Sequence, residues 1–211
     1  MNNTTTAYET GSAWKAFIST GCDKSFSQIY HDHFDLLYYI GLKYTSNNTQ
    51  VIEDSIQNVF VYLLKKRKSL TEVTNVKAYL VKSFRRQLLV DLKKQSRFTL
   101  SDHFPEERFG YFNGIEQTIA EKEESDELKQ AMRKSLAKLS PRQQEIIYLR
   151  YDCELAYEDI ANILEISVDS CYKSVYRSVR ILKTSIEQLV TKGADLLCVL
   201  FLTDRTAITN R

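Results

Sequence analysis

The side chains best suited to a chemical role lie on the polar face of a predicted helix at residues 168–182. This face carries Tyr172, Lys173, Tyr176, Arg177 and Arg180. Cationic side chains bind backbone phosphates, and arginine and lysine also donate hydrogen bonds to guanine edges in the major groove of DNA. The face therefore favours DNA binding, although an ordinary packing helix remains an alternative on this segment alone.

A shorter amphipathic helix at residues 156–164 precedes this face and must position it. Ser167 is suited to capping the second helix, and the small Ala161 allows the two helices to cross closely. Apolar side chains fill the wedge between them: Ile160, Leu164, Ile166, Cys171 and Val175. This pattern is typical of a helix-turn-helix, whose second helix enters the major groove. Glu165 occupies the turn position where glycine is usual.

Composition narrows the fold class and excludes several kinds of site. Two prolines and six glycines in 211 residues favour long helices over a sandwich or a barrel. The four cysteines are widely spaced and form no CxxC pair, so a zinc knuckle or redox dithiol is not expected. His31 and His33 are two residues apart, which points them to different sides of a helix and away from a shared metal.

The sequence also lacks the features of an enzyme or a membrane protein. It contains no nucleophile–base pair and no glycine-rich phosphate loop, so we expect neither catalysis nor a cofactor. The first ten residues lack the apolar core of a signal peptide. The apolar stretch at residues 196–202 is far shorter than a membrane span. We therefore predict a cytoplasmic protein without membrane insertion.

Charge is unevenly distributed along the chain, although the net charge is only +2. Basic clusters lie at residues 65–68, 82–97 and 177–183, and an acidic stretch lies at residues 106–127. Separate basic faces joined by an acidic connector suit a protein that contacts DNA at two places. Any one of these clusters taken alone is better explained as solvated helix surface.

The apolar periodicity predicts an all-α protein with two small helical domains joined by a flexible acidic linker, the second domain containing the helix-turn-helix. The first domain spans residues 13–97, the linker 98–125 and the second domain 126–188. The linker has no steady period and contains a proline and two glycines. We expect residues 1–12 to be a loose tail and assign no role to the C-terminal tail at residues 189–211.

Helix boundaries can be predicted from capping signals and polar breaks. In the first domain we expect helices at residues 51–66 and 76–96, separated by a polar break at residues 69–75. In the second domain a helix at residues 126–139 is followed by one that begins at Ser140 and Pro141, a cap residue and a proline at the first helical position.

Two further polar faces lie in the first domain. One helix face carries Asp54, Gln57 and Asn58 side by side, which suits a basic partner helix, although a solvated helix start explains it more simply. The polar break and the helix after it offer amides, an aromatic ring and cations: Asn75, Lys77, Tyr79, Lys82, Arg85, Arg86 and Gln87. Such a surface suits single-stranded DNA, whereas the alternative is a routine amphipathic helix.

Three motifs in order carry a family resemblance. They are EDSIQNVFVYLLKKR, NVKAYLVKSFRRQLLVDLKK and YEDIANILEISVDSCYKSVYRSVRILK. With the acidic linker they resemble bacterial RNA polymerase sigma factors, and most of all the small two-domain extracytoplasmic-function group. The resemblance covers residues 14–183 and implies a protein that directs promoter recognition, DNA melting and transcription initiation.

The resemblance also implies a role for each polar face. Asp54 and Gln57 match the family's contact with the clamp helices of the largest polymerase subunit, and Asn58 stands where the family more often has glutamate. The break at residues 69–75 matches the loop that captures a flipped base of the minus-ten element.

The helix after this break matches the segment that holds the opened strand. Its implied minus-ten contacts are Asn75, Lys77, Tyr79, Lys82, Arg85, Arg86 and Gln87. Tyr79 and Gln87 replace the family's frequent tryptophan and asparagine. In the second domain the implied minus-thirty-five contacts are Ser167, Tyr172, Lys173, Tyr176, Arg177 and Arg180.

The implied partners are core RNA polymerase, promoter DNA as duplex and as opened strand, and an anti-sigma factor. The protein would act as a monomer within the holoenzyme. One alternative is a stand-alone helix-turn-helix regulator, which would bind a palindromic duplex without polymerase. Another is a sigma-like adaptor that occupies polymerase without recognising a promoter. The tail at residues 189–211 either packs on the second domain or binds a partner.

Overall fold

Every regular element that the structure describes is helical, as the periodicity predicts. The structure is a computed structural model that describes residues 3–45, 48–98, 109–111 and 132–190. Its helices are α1 (Asn3–Thr20), α2 (Asp23–Thr45), α3 (Thr49–Lys66), α4 (Val76–Phe98), α5 (Pro141–Tyr151), α6 (Tyr157–Leu164) and α7 (Val168–Val190), with a 3-10 turn at Arg67–Ser69. No described helix combines the length and the apolar character needed to cross a membrane.

The predicted loose tail at residues 1–12 is wrong over most of its length. Helix α1 begins at Asn3 and runs to Thr20. Trp14 and Phe17 bury their side chains in the core, which anchors the C-terminal half of this helix. Once a helix is anchored, each further residue adds one hydrogen bond at little cost, so polar residues without a proline extend it through Gly11.

The first domain is built on the close approach of α2 and α3. A Cβ atom at Gly41 would lie 2.6 Å from Cγ2 of Ile52, so only glycine permits this spacing. Helix α3 buries the apolar face that its periodicity predicts, including Ile52, Ile56 and Leu63. Its first turn is capped by Asn48, whose side chain accepts a hydrogen bond from the Val51 amide at 3.3 Å.

Aromatic rings join α1 to this pair of helices. The Phe26 ring lies 5.3 Å from Phe17 and 5.8 Å from Phe60, measured between ring centroids. The guanidinium of Arg67 donates to the carbonyls of Phe17 and Ile18, at 3.2 and 2.8 Å, and so satisfies the C-terminal end of α1. These hydrogen bonds connect the 3-10 turn to the C-terminal end of α1.

The predicted polar break separates α3 from α4. Asn75 caps α4, because its Oδ1 accepts a hydrogen bond from the Ala78 amide at 3.1 Å. Helix α4 then buries one apolar face, with Leu80, Phe84 and Leu88 fully enclosed. Two of the cations assigned to DNA, Lys82 and Arg86, lie on the opposite side of α4.

In the second domain the predicted helix at residues 126–139 is helical only at residues 132–136 within its described part. Helix α5 begins as predicted, with Pro141 in its first turn and a reciprocal capping box between Ser140 and Gln143. Helices α6 and α7 form the helix-turn-helix, and Cys171 is fully buried between them. Cys171 is therefore a core residue, as expected.

The turn between α6 and α7 accommodates Glu165 in the conformation that glycine usually takes. Glu165 has φ 55° and ψ 43°, which is left-handed backbone. The amide of Ile166 donates to the Ala161 carbonyl at 3.0 Å and closes the turn. The absence of glycine therefore leaves the turn geometry intact, at the cost of strained backbone.

The two domains pack against each other, with α4 against α6. The described part of the predicted linker, residues 109–111, lies at this junction. Its Gly110 amide donates to the Lys43 carbonyl and its Tyr111 amide to Oε1 of Gln144, both at 2.9 Å. Phe109 is 3% exposed. These three residues connect α2 to α5. Most of the predicted linker at residues 98–125 lies outside the described part of the chain.

Candidate nucleic-acid and polymerase interfaces

The polar face of α7 is open to solvent. Tyr176 is 71% exposed and Tyr172 is 47% exposed. The cations on this face are also exposed: Lys173, Arg177 and Arg180. Their spacing places all five side chains along one side of the helix. The structure therefore brings together the residues assigned to the minus-thirty-five element.

Ser167 has a different place from the rest of that set. Its hydroxyl accepts a hydrogen bond from the Ser170 amide at 3.1 Å and donates to the Ser170 hydroxyl at 2.7 Å. It is thus the N-cap of α7, as predicted, and it lies at the end of the helix that would approach DNA.

An acidic side chain interrupts the positive face of α7. Oδ2 of Asp169 lies 2.7 Å from Nζ of Lys173, four residues later, and both side chains are largely exposed. The pair is worth little to stability because solvent screens it. The carboxylate nevertheless neutralises the cation nearest the start of the recognition helix.

A stacked pair of tyrosines supports the same face. The Tyr172 ring lies 3.9 Å from the ring of Tyr157, the first residue of α6, with 25° between the ring planes. Tyr157 is not among the residues that the motifs single out, because two residues on different helices share no periodic relationship. The one available signal was an aromatic residue at the first position of α6, which the structure shows to be half-buried.

The second domain covers part of the α4 surface that the resemblance assigns to the minus-ten element. Nδ2 of Asn75 donates to Oδ2 of Asp159 at 2.7 Å. Nζ of Lys82 donates to Oδ1 of Asn162 at 2.5 Å. Asp159 and Asn162 lie one turn apart on α6, so the first helix of the helix-turn-helix faces the residues assigned to the opened strand.

Arg85 is buried at the same junction. Its Nε atom lies 2.6 Å from Oε1 of Glu145 on α5 and 3.0 Å from the Tyr44 hydroxyl. The Tyr44 hydroxyl also donates to Glu145. Although burial alone would lower the pKa of Arg85, its neighbours Tyr44 and Glu145 raise it above the ordinary value. Burial, followed by the Glu145 charge, raises the pKa of Tyr44 well above its ordinary value.

The other residues assigned to the opened strand are divided between protein contacts and solvent. The Tyr79 ring is half-buried, with its centroid 6.1 Å from that of Trp14. Nε2 of Gln87 donates to Oδ2 of Asp91 at 2.8 Å. Lys77 is half-buried and Arg86 is exposed. In this arrangement α4 offers single-stranded DNA only part of the predicted surface.

The face of α3 that the resemblance assigns to polymerase is uncovered. Asp54, Gln57 and Asn58 are all exposed. The main packing partners of α3 are α2, α4 and the 3-10 turn, which lie on its apolar side. The second domain therefore leaves this polar face accessible to a partner while it covers part of α4.

The histidines and cysteines occupy separate environments. His33 is buried and its Nδ1 lies 2.9 Å from the Ile29 carbonyl, whereas His31 is exposed. Cys22 is exposed and Cys153 is buried. Among the described residues, no group of three His, Cys, Asp or Glu side chains is placed to hold a metal ion.

Comparisons with solved structures find the same fold. The sigma factor RpoE from Bartonella quintana, solved in complex with the anti-sigma factor NepR, is 21% identical; the match covers 78% of this chain and 98% of that chain, with a TM-score of 0.54. CnrH, solved in complex with the cytosolic domain of CnrY, is 15% identical; the match covers 89% of this chain and 98% of that chain, with a TM-score of 0.53. No curated protein matches the chain.

Family comparison connects this fold to a sequence family. Residues 29–98, which include α3 and α4, match Sigma-70 region 2. Residues 129–182, which include the helix-turn-helix, match Sigma-70, region 4. The two regions occur in the order that the motifs predict and together cover more than half of the chain. The chain therefore belongs to the sigma-70 family of RNA polymerase sigma factors.

Proposed function

We propose that the protein is an extracytoplasmic-function sigma factor that binds core RNA polymerase and directs it to one class of promoter. The observation that carries this proposal is the presence of Sigma-70 regions 2 and 4 in one chain, with polar faces exposed on α3 and α7. Sigma factors are regulatory DNA-binding proteins. This one acts in the cytoplasm as a monomer within the holoenzyme, and it needs no cofactor because it catalyses no reaction.

Core polymerase binds the exposed face of α3. Asp54, Gln57 and Asn58 offer a carboxylate and two amides that match basic and polar groups on a partner helix. These side chains lie opposite the buried face of α3, so binding does not disturb the first-domain core. Core binding is therefore compatible with the closed arrangement, in which α4 packs against α6.

Duplex promoter DNA binds the exposed face of α7. Lys173, Arg177 and Arg180 supply positive charge for phosphates, and the tyrosines supply contacts to base edges. Each good contact to a base edge discriminates against a wrong base by about 1–3 kcal/mol. The phosphate contacts make binding strongly dependent on salt.

The opened minus-ten strand binds α4 and the break before it. Cations along α4 contact phosphates, and Tyr79 offers a ring for stacking. Extruding a base from the duplex costs a few kcal/mol. The first domain offsets this cost because it binds the opened strand and not the duplex. Asn75, Lys82 and Arg85 contact the second domain in the closed arrangement. Promoter melting therefore requires α6 to separate from α4.

We expect an anti-sigma factor to regulate the protein by preventing the separation of α6 from α4. RpoE, whose fold resembles this one, was solved in complex with the anti-sigma factor NepR, and CnrH was solved in complex with the cytosolic domain of CnrY. A partner that binds the closed arrangement would keep Asn75, Lys82 and Arg85 from the promoter. Its release would allow the domains to separate and expose these three residues to the promoter.

Run-off transcription with purified core polymerase on a library of promoter fragments tests the proposal. We expect new transcripts that share a two-element motif. Asp54→Ala should reduce holoenzyme formation, whereas Glu53→Ala, at the adjacent exposed position, is the matched control. Binding to core without new transcripts would instead favour an adaptor. Binding to duplex DNA without any affinity for core would favour a stand-alone regulator.

A further inference from the structure

The stack of Tyr157 on Tyr172 connects the polar face of α7 to a residue that the motifs do not single out. The two ring centroids are 3.9 Å apart and the planes are 25° from parallel. Tyr157 begins α6, and Tyr172 lies in the second turn of α7. The contact therefore crosses the helix-turn-helix on its solvent side, away from the buried wedge at Ile160 and Cys171.

A third residue holds the same stack. The guanidinium carbon of Arg150, on α5, lies 4.8 Å from the centroid of the Tyr157 ring. Because Tyr172 covers one face of that ring, the guanidinium requires the other face. Nη1 of Arg150 donates to the Leu155 carbonyl at 3.0 Å. Nε of Arg150 is buried and has no hydrogen-bond acceptor among the described residues. The guanidinium is therefore oriented by the Tyr157 ring and the Leu155 carbonyl.

Three helices thus contribute one layer each, in the order Arg150, Tyr157 and Tyr172. An exposed tyrosine on a helix ordinarily samples several rotamers, and binding must then immobilise it. Stacking fixes the Tyr172 ring before DNA arrives. Tyr176, one turn later, is 71% exposed and has no ring partner among the described aromatic residues.

The stack also limits what Tyr172 can present to DNA. Tyr157 covers one ring face, so the other face, the ring edge and the hydroxyl remain available. In the major groove an aromatic ring edge contacts the thymine methyl group, and a hydroxyl contacts a base edge or a phosphate oxygen. A ring held in one place can select a base pair, whereas a mobile ring contacts several equally well.

We propose that Tyr157, supported by Arg150, is a positioning residue that makes Tyr172 the reader of one base pair in the minus-thirty-five element. This inference rests on the proposed function of α7. Lys173, Arg177 and Arg180 then provide affinity that depends little on sequence, while the stacked ring provides discrimination at one position. Tyr157 acts through Tyr172 and need not touch DNA.

The test measures discrimination rather than affinity alone. Holoenzyme is assembled from core polymerase and the full chain, and its affinity is measured for duplex promoters carrying each of the four base pairs at every minus-thirty-five position. The variants are Tyr157→Ala, Tyr157→Leu and Tyr157→Phe, and the matched control is Tyr39→Ala, which removes an exposed tyrosine of α2. Thermal unfolding of each variant separates loss of the stack from loss of the fold.

We expect Tyr157→Ala and Tyr157→Leu to reduce the preference at one position by about tenfold, which is the size of one good base contact. Tyr157→Phe keeps the ring and should retain the preference. Tyr172→Ala should lose the same preference, and adding Tyr157→Ala to it should cause no further loss at that position. Tyr39→Ala should leave every preference unchanged, because Tyr39 lies on α2 outside the assigned DNA-binding faces.

Two outcomes would overturn the proposal, and they differ. If the unsubstituted protein prefers certain bases and folded Tyr157→Leu retains every preference, the stack has no positioning role and the proposed function stands. If the unsubstituted holoenzyme shows no base preference in this element, the minus-thirty-five role of α7 fails, and the role of the stack fails with it.

Discussion

Nε of Arg85 lies 2.6 Å from Oε1 of Glu145, across the junction between α4 and α5. The Arg85 side chain is 10% exposed and the Glu145 side chain is 2% exposed. A cation that the family resemblance assigns to the opened strand is thus enclosed between the domains. A phosphate cannot reach this guanidinium while the two domains enclose it, so the pair would connect domain closure to any DNA contact that Arg85 makes.

Glu145→Gln should open the closed arrangement. Removing one partner of a buried ion pair costs about 3–5 kcal/mol, because the remaining charge stays buried without compensation. Arg85 can escape this cost by returning to solvent when the domains separate. We expect tighter binding of a single-stranded minus-ten oligonucleotide, measured by fluorescence anisotropy, and a larger radius of gyration in solution scattering.

Glu158→Gln is the control for that substitution, since Glu158 is exposed on α6. It removes the same charge from the second domain without touching the junction. Equal oligonucleotide affinity for Glu145→Gln, Glu158→Gln and the unsubstituted protein would show that Arg85 does not limit access to α4.

Asp159→Ala and Asn162→Ala should have smaller effects in the same direction. These residues accept hydrogen bonds from Asn75 and Lys82, at 2.7 and 2.5 Å, at the exposed edge of the junction. Such a bond contributes about 0.5–1.5 kcal/mol. Oligonucleotide affinity should therefore rise less in either variant than in Glu145→Gln. A larger rise would place the main closing contact at the edge and not at Arg85.

Asp169→Asn should strengthen binding to duplex promoter DNA. The substitution removes a negative charge from the recognition face and releases Lys173 from its 2.7 Å ion pair. Because an exposed pair is worth up to about 1 kcal/mol, we expect about a two- to fivefold gain in affinity at low salt. Titrations at several salt concentrations should show a steeper salt dependence. Unchanged affinity and slope would mean that Lys173 lies away from the phosphates.

Glu165→Gly should stabilise the second domain. Glu165 has φ 55°, a left-handed conformation that costs a residue with a Cβ atom about 1–2 kcal/mol. Glycine removes this strain. Part of the gain is lost because glycine also makes the unfolded chain more flexible. We expect a gain of about 0.5–1 kcal/mol in unfolding free energy, measured by urea denaturation.

Two matched substitutions test that explanation. Glu154→Gly, at the other described non-glycine residue with positive φ, should also stabilise. Thr184→Gly, at an exposed position within α7, should destabilise because it adds freedom to the unfolded chain without relieving strain. Destabilisation by Glu165→Gly would show that the Glu165 side chain contributes more than its backbone costs.

His33 should make stability fall in mild acid. Burial is the largest effect on His33 and lowers its pKa below the ordinary value of 6.5. The positive charge of Lys77 lowers this pKa as well. The Ile29 carbonyl and the Asp32 carboxylate raise it, but not enough to cancel the effect of burial. The unfolded chain therefore binds a proton more readily than the folded one. This contribution to stability is complete above pH 6.5 and is lost as the pH falls through the folded pKa.

His33→Leu should reduce that loss. We expect the unfolding free energy of the variant to vary less between pH 7 and pH 5 than that of the unsubstituted protein. His31→Gln, at an exposed position of the same helix, is the control. If His33→Leu keeps the full pH dependence, other groups account for the acid sensitivity.

Much of the fold follows from local sequence. The apolar face of α3, the start of α5 at Ser140 and Pro141 and the burial of Cys171 all agree with the prediction, since caps and periodicity involve residues within one or two turns. The predicted tail at residues 1–12 was wrong because its polar composition conceals continuation of α1, which is anchored further along at Trp14.

The state of the candidate site depends on contacts that no local pattern encodes. Arg85 meets Glu145, which lies 60 residues later in the chain, and Asn75 meets Asp159, which lies 84 residues later. On sequence alone, both Arg85 and Asn75 are simply polar residues near the opened strand. The sequence could not distinguish a cation open to DNA from one enclosed by the second domain.

The sequence by itself determined the all-α class, the sigma-70 family and the side chains that carry charge to each face, because motifs and periodicity are properties of neighbouring residues. Only the tertiary structure decided that α6 covers part of α4, that α3 and α7 stay open, and that Tyr157 supports Tyr172. These relationships arise from the packing of separate helices, whose relative positions depend on the shape and burial of the whole junction.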